Sequence, residues 1–378
     1  MTQKQPTILQ IIPELGPGGA EQGCIDVAAE LVKSGARALV ASHGGSRLHE
    51  LKRVKAEHVD LPLHSKNPIT IWKNISRLKD LIAREKIDLV HVRSRAPAWS
   101  AYYACKATNT PFVTTFHAPY NIGNKLKKHY NSIMARGDRI IAISEFVKDY
   151  IQYNFDVDPA IVRLNHRGIH MNKFEPSSVT PERIIKLTKA WRLPEDAKVI
   201  MLPGRLTRWK GHHVLIEAFA QLAEKDVFCV LVGSDQGRIK YRQELEAYIT
   251  EKNLGERVRL VDHCDDMPAA YMLATVVVSA SIEPEGFGRI PIESQAMGRP
   301  VIGTNHGGAR ETILKGETGW LVPPKDGASL TMALKEALSL TAEQRDLLAV
   351  KARKHIEKHF TVSLMCDRTL NVYAELLN

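Results

Sequence analysis

The sequence predicts an α/β protein of two doubly wound, parallel-sheet domains, and three observations carry that expectation. Short β-branched apolar runs alternate with helical patterns, as they do where crossover helices cover a parallel sheet. The alternation occurs in two sets, and between them residues 172–196 are richer in proline, serine, threonine and charge. The 378-residue length suits two domains better than one. In the first set, strands are expected at 7–12, 38–42, 88–92, 112–116 and 139–143. In the second they are expected at 199–202, 228–232, 258–261, 276–279, 301–304 and 319–322, each a compact apolar run bounded by polar or turn residues. The domains are expected to span 1–172 and 173–362. A last helical stretch, about 363–378, is expected to return to the first domain.

Composition narrows the class. The apolar fraction of 44% is that of a soluble globular protein, and no run approaches the eighteen or so apolar residues of a membrane-spanning helix. The chain runs from Met1 into a strand-like segment within a few residues, so no signal peptide is expected. Five cysteines, none in a Cys-x-x-Cys pair, favour a reducing cytoplasmic location over a disulfide framework or a zinc site. A net charge of +10 implies anionic partners. The basic segment Lys125-Leu-Lys-Lys-His-Tyr130 suits peripheral contact with an anionic membrane, or is a solvated helix face. No nucleic-acid-binding motif is present, so nucleic acid is not an expected partner.

Ligands of open α/β sheets bind beyond the carboxyl ends of the strands, so those ends are where chemistry is sought. After the strand at 276–279 comes Glu285-Gly-Phe-Gly-Arg-Ile-Pro-Ile-Glu293, a glycine-flanked turn that launches a helix. Pro291 fits a first helical turn, and the amides of Gly286, Phe287 and Gly288 would face an anion. Glu285 would sit in the loop, while Glu293 could accept hydrogen bonds from vicinal hydroxyls. A ligand with both phosphate and sugar is implied; a unit whose carboxylates merely cap and solvate a helix is the alternative. After the strand at 199–202 comes Pro203-Gly-Arg-Leu-Thr-Arg-Trp-Lys-Gly-His212, where Arg205 can fork two phosphate oxygens and Lys210 adds a point charge. Near the start, Gly16-Pro-Gly-Gly-Ala-Glu21 lacks the third glycine of a dinucleotide fingerprint, and the second strand ends in Ser42-His43 without an acidic residue. That disfavours a nicotinamide enzyme and leaves Gly18 and Gly19 as close-approach positions for phosphate or sugar. Asp156-Val-Asp158 lies in a connector before Pro159, and no metal site is expected there.

Taken in order, these segments resemble retaining glycosyltransferases of the GT-B fold, family 4 (the glycosyl transferases group 1). The resemblance spans nearly the whole chain. It is carried by the early glycine turn, Thr115-Phe-His117, Ala142-Ile-Ser-Glu145, Gly204-Arg-Leu through Trp209-Lys-Gly211, the Glu285/Glu293 pair with Ala296-Met-Gly-Arg-Pro-Val-Ile302, Gly307-Gly, and Thr318-Gly-Trp-Leu-Val322. It implies two Rossmann-like domains facing a cleft and a metal-independent hexosyl transfer from a nucleotide-diphosphate sugar, a UDP-sugar or GDP-mannose, with no cofactor. By the same resemblance, Glu293 holds the ribose, Arg205 and Lys210 the diphosphate, and Gly18 or Gly19 donate amides to it. Glu285 with the Phe287 and Gly288 amides grips the transferred sugar. His117 lies near that sugar, and the loop from Cys264 to Asp266 touches the nucleobase.

Departures concern the acceptor. Relatives often carry Asn-Gly-Ile/Val-Asp where this chain has Arg167-Gly-Ile-His170, and a second histidine within the segment that here reads His91-Val-Arg93-Ser-Arg95. Arg93, Arg95 and Arg167 are therefore candidates for an anionic acceptor, or for structural ion pairs. The phrase around 279–289 is similar to envelope-polysaccharide and lipopolysaccharide-core transferases, which implies a glycan or glycolipid acceptor. A sugar-nucleotide epimerase or phosphorylase-like enzyme, or a nonenzymatic anion- or lipid-binding protein, remains the alternative.

Overall fold

The structure, a computed structural model, describes residues 5–377. The chain forms two compact units, one holding the chain up to Gly168 and again from Val362, the other Ile169–Thr361. Each is a wholly parallel α/β sheet, as the alternation of apolar runs and helical patterns predicts.

In the first unit the strands are β1 (Thr7–Ile11), β2 (Arg37–Ser42), β3 (Glu57–Asp60), β4 (Leu89–Val92), β5 (Phe112–Phe116), β6 (Arg139–Ala142) and β7 (Val162–Leu164), in spatial order β3-β2-β1-β4-β5-β6-β7. In the second they are β8 (Lys198–Pro203), β9 (Val227–Val232), β10 (Val258–Val261), β11 (Val276–Ser279), β12 (Val301–Thr304) and β13 (Trp320–Val322), in order β10-β9-β8-β11-β12-β13. Central strands are sealed on both faces: every residue of β1, β4, β5, β11 and β12 is buried. Strand order reverses between β1 and β4, and again between β8 and β11. Crossovers leave those pairs on opposite faces, so a crevice opens at their carboxyl ends. The glycine turn follows β1, Arg93 follows β4, Lys210 follows β8 and Glu285 follows β11. Topology thus places the chemically suggestive loops at the switch points.

Two strands escape the apolar pattern. The sequence of β3, Glu-His-Val-Asp, has no buried residue, and β7 is three residues long with one. Both are edge strands, held from one side only by ladder bonds, so neither needs a hydrophobic run. Residues 172–196, read as a connection, include the helix Pro181–Ala190, which packs against the helix Met267–Leu273.

The last helix, Val362–Leu377, completes the first unit's core. Met365, Cys366, Val372 and Tyr373 join a cluster with Ile8, Cys24, Ile25 and Ala28. Asn165 Nδ2 donates to Met365 O at 2.9 Å and to Thr369 Oγ1 at 2.8 Å. Near its end, Glu375 accepts from Arg163 and Arg139, and hydrogen bonding to Arg163 first, then Arg139, lowers its carboxyl from an ordinary 4.5 to about 2. A depressed carboxylate stabilises the fold above the unfolded value and loses that contribution as pH falls through the folded one. Glu375→Gln should therefore cost about 1 kcal/mol near neutrality, discounted because the pair is partly solvated. Urea titrations should show the gap between wild type and variant closing as pH drops from 4.5 towards 2.

Candidate active site

In the second unit three loops interlock. The loop after β8 turns through Gly211, whose φ of +74° suits glycine and whose added Cβ would lie 1.9 Å from Ala280 O. The Ile282 amide then donates to Trp209 O at 2.7 Å, tying the β11 loop to the β8 loop. After β12, a Cβ on Gly307 (φ +56°) would lie 2.5 Å from Glu285 O, and the Gly308 amide donates to that carbonyl at 3.0 Å. Thr304 Oγ1 and His306 Nε2 both reach Ser281 O, at 2.9 and 2.7 Å. This backbone scaffold fixes the side chains described next.

Lys210 is buried, and its Nζ lies 2.7 Å from Glu285 Oε1 and 4.5 Å from the centre of the Trp209 ring. Glu285 also accepts from the Ser281 hydroxyl. The ion pair neutralises two charges held in a largely dehydrated place, where either alone would be costly. Arg205, two residues past β8, is exposed, and among the described residues nothing engages its guanidinium. The helix starts at Arg289 with Gly288 as its N-cap. Gly286 and Phe287 therefore precede it, and the amides without intrahelical acceptors are those of Gly288, Arg289 and Ile290, since Pro291 has none. Glu293 lies within the helix, nine-tenths buried. Its Oε2 accepts from the fully buried Tyr271 hydroxyl at 2.8 Å, and Arg289 Nη2 sits 2.8 Å from Oε1. Burial and the adjoining Glu293 carboxylate push the Tyr271 phenol well above its ordinary value, so it remains a donor.

The Cys264–Asp266 loop has structural duties. Cys264 is buried, and desolvation raises its thiol. Asp266 caps the helix Met267–Leu273 through the Ala269 amide at 3.2 Å and pairs with Arg183 at 2.5 Å. In the first unit, Gly18 caps the helix Gly19–Lys33, and the Glu21 carboxylate folds over it, 2.1 Å from where a Gly18 Cβ would stand.

The first unit also concentrates buried polar groups at its switch point. His91 spans Tyr373 OH and Thr115 Oγ1, each at 2.6 Å. Arg93 is 4% exposed, donates from Nε to Gln10 Oε1 at 2.7 Å and leaves one terminal nitrogen without a partner. Arg167 packs over Gly23, where a Cβ would lie 2.4 Å from its Nη1. Arg95 donates to Asn131 Oδ1 at 2.9 Å and lies 4.2 Å over the Tyr120 ring. Both ring nitrogens of His117 are sealed from water without hydrogen bonds.

Desolvation, reinforced by neighbouring arginines, holds His91 and His117 well below 6.5. For a histidine kept neutral in the fold, the unfolded chain binds the extra proton. Stability is therefore untouched above the unfolded value and falls as pH drops below it, by at most about 1.4 kcal/mol per pH unit for each group. Urea unfolding between pH 7.5 and 5 should show that loss, with a shallower slope in His91→Gln.

Sequence reasoning did not single out Tyr271, Arg289, Ser281, Trp209 or His306. Ser281 and Trp209 stand inside the quoted motifs, and Arg289 lies one helical turn before Glu293. Tyr271 belongs to a separate helix, and nothing in the linear pattern points to it.

Two family models match consecutive parts of the chain. Residues 17–173 match the family model Glycosyltransferase Family 4, and residues 184–355 match Glycosyl transferases group 1. A crystal structure of a glycosyltransferase from Rickettsia africae ESF-5 is 37% identical, with a TM-score of 0.93 over all of both chains. Putative glycosyltransferase YtcC of Bacillus subtilis strain 168 is 26% identical over 306 residues, 77% of this chain and 73% of its own. HepE of Anabaena, solved in complex with UDP and glucose, has a TM-score of 0.85 at 22% identity, over 98% of this chain and 100% of that one. Two domain models matched in sequence order, and a 37%-identical glycosyltransferase overlaid end to end, show that the chain belongs to the GT-B glycosyltransferases of group 1 and family 4.

Proposed function

We propose that the protein is a retaining, metal-independent hexosyltransferase that uses a nucleoside-diphosphate sugar and a cell-envelope glycan or glycolipid acceptor. The observation that carries this reading is the Lys210–Glu285 pair, 2.7 Å apart, with Glu285 eight residues before the braced carboxylate Glu293. Breaking the anomeric C–O bond leaves negative charge on the diphosphate. Lys210, Arg205 and the amides at the start of helix Arg289–Ala296 are assigned to stabilise it, as preorganised donors do in oxyanion holes, which is the work a divalent cation would otherwise perform. Donor binding exchanges the internal ion pair for Lys210 on phosphate and Glu285 on sugar hydroxyls. Glu293 receives the ribose hydroxyls. The acceptor oxygen adds to the anomeric carbon on the face the diphosphate leaves, and its proton passes to the departing phosphate oxygen.

Arg93, Arg95 and Arg167 are assigned to an anionic acceptor such as lipopolysaccharide core. No helix among the described residues is long and apolar enough to cross a membrane. Peripheral contact at the cytoplasmic membrane face is assigned to the helix Lys125–Ser132, where Leu126 is 82% exposed among exposed lysines. The complex of HepE with UDP and glucose supports a nucleotide-sugar donor.

The deciding experiment is a thermal-shift screen of UDP-, GDP- and ADP-sugars, followed by turnover of the stabilising donor with EDTA present. A ligand that binds only the folded state raises its apparent stability. The expected result is one preferred base and acceptor-dependent release of the diphosphate. Rapid turnover to a new nucleotide sugar without acceptor would instead mark an epimerase, and loss of turnover in EDTA would remove the metal-independent mechanism.

A further inference from the structure

The second unit holds another cavity, of about 390 Å³, which the proposed transfer does not use. It lies where the turn after helix Arg289–Ala296 meets helix Ala342–His359, and its apolar lining includes Met272, Met297, Ala349 and Val350. That volume is in the range of small-molecule sites, roughly 300–1,000 Å³. Glu293 and the donor-loop amides belong to the first part of the same helix, and the cavity adjoins its far end.

Three arginines line the cavity, and their circumstances differ. Arg353 is satisfied: it pairs with Glu175 and Glu357 and donates to Ala296 O at 2.8 Å. Arg299 is not. Its Nε is buried without a partner, and its Nη2 reaches only the Met272 sulfur, at 3.1 Å, a weak acceptor. Arg345 spends Nε and Nη2 on one carbonyl, Leu340 O. Neither Arg299 nor Arg345 forms an ion pair among the described residues, although the exposed Asp346 also lines the cavity. Burial and the nearby positive charge of Arg345 lower the Arg299 guanidinium from its ordinary value, the sign expected where cations gather without a counter-ion. Two guanidinium groups that line one cavity without a carboxylate partner among the described residues leave positive charge that an anion in the cavity would neutralise. Beside it, methionines supply an adaptable wall that accepts apolar chains of varied shape.

We propose that this cavity binds a small amphiphilic anion, a phosphate or carboxylate with a short apolar chain, Arg299 and Arg345 holding the anion and the methionine wall the chain. It is a site distinct from the donor site, with a different ligand chemistry.

The test uses calorimetry and thermal shift on the full chain with octyl phosphate, below its micelle-forming concentration, and with inorganic phosphate. Octyl phosphate is expected to bind at one site per chain, and inorganic phosphate about tenfold or more weakly, for want of the apolar contact. Arg299→Gln should weaken octyl phosphate by about tenfold or more, the loss of a charge-assisted hydrogen bond. Val350→Glu alters a half-exposed wall position, spares the core and should have a similar effect. Lys210→Ala should leave octyl phosphate binding intact while donor binding suffers, which separates this site from the diphosphate loop. Absence of saturable binding, binding preserved in both Arg299→Gln and Val350→Glu, or loss of binding in Lys210→Ala would each overturn the proposal. Equal affinity for inorganic phosphate would overturn the apolar half of it.

Discussion

Lys210→Ala should depress transfer by about 10²–10³-fold at saturating donor, the magnitude lost with a single preorganised donor to developing negative charge. Two features of the structure motivate the size of this effect. Lys210 is buried, so its charge acts where water screens little, and the Trp209 ring, 4.5 Å from its ammonium, limits where that charge can go. The same substitution strands Glu285, whose remaining side-chain partner among the described residues is Ser281. A lower melting temperature should therefore accompany the loss of activity, and the double variant Lys210→Ala/Glu285→Ala should recover part of the stability without recovering transfer. Stopped assays on folded protein, read beside thermal melts, check both. If kcat in Lys210→Ala stays within about threefold of wild type, well below the effect of a preorganised donor, the assignment of the β8 loop to the diphosphate fails.

Glu293→Ala should act chiefly on donor affinity, weakening it by about 10–100-fold, the worth of hydrogen bonds to a charged acceptor. Tyr271 and Arg289 hold both carboxylate oxygens in a set direction, so little side-chain freedom remains to be lost on making the proposed ribose contact. Tyr271→Phe removes one brace and should weaken the donor by a smaller factor while leaving the carboxylate in place. Calorimetry with the nucleoside diphosphate alone isolates this interaction from the chemistry. A variant whose nucleotide affinity is unchanged but whose kcat collapses would assign Glu293 to the reacting sugar instead.

The interior strands were legible because strands covered on both faces are buried throughout and so are mostly apolar, with β-branched residues prominent. Val276–Ser279 and Phe112–Phe116 have nothing but buried residues, and they read as strands without further help. Glu57–Asp60 and Val162–Leu164 did not, because an edge strand is stabilised by its neighbour's backbone and leaves little mark on composition. The candidate site divides in a similar way. The glycine turn and the two carboxylates stand at fixed spacing around the start of helix Arg289–Ala296, and Lys210 stands in its own glycine-flanked loop after β8; such local spacing is what a sequence displays. The groups that brace them come from elsewhere: Tyr271 lies 22 residues before its partner, Lys210 lies 75 before Glu285, and Tyr373 meets His91 across 282 residues.

By itself the sequence determined the parallel α/β class and the doubled organisation, since both follow from periodicity and from residue types adjacent along the chain. The tertiary structure decided which charges are already paired, which nitrogens of His117, Arg93 and Arg299 lack partners, and that Asp266 and Glu375 hold helices in place. These depend on burial and on contacts between distant segments. Such contacts exist only once apolar burial has repaid the entropy of bringing them together.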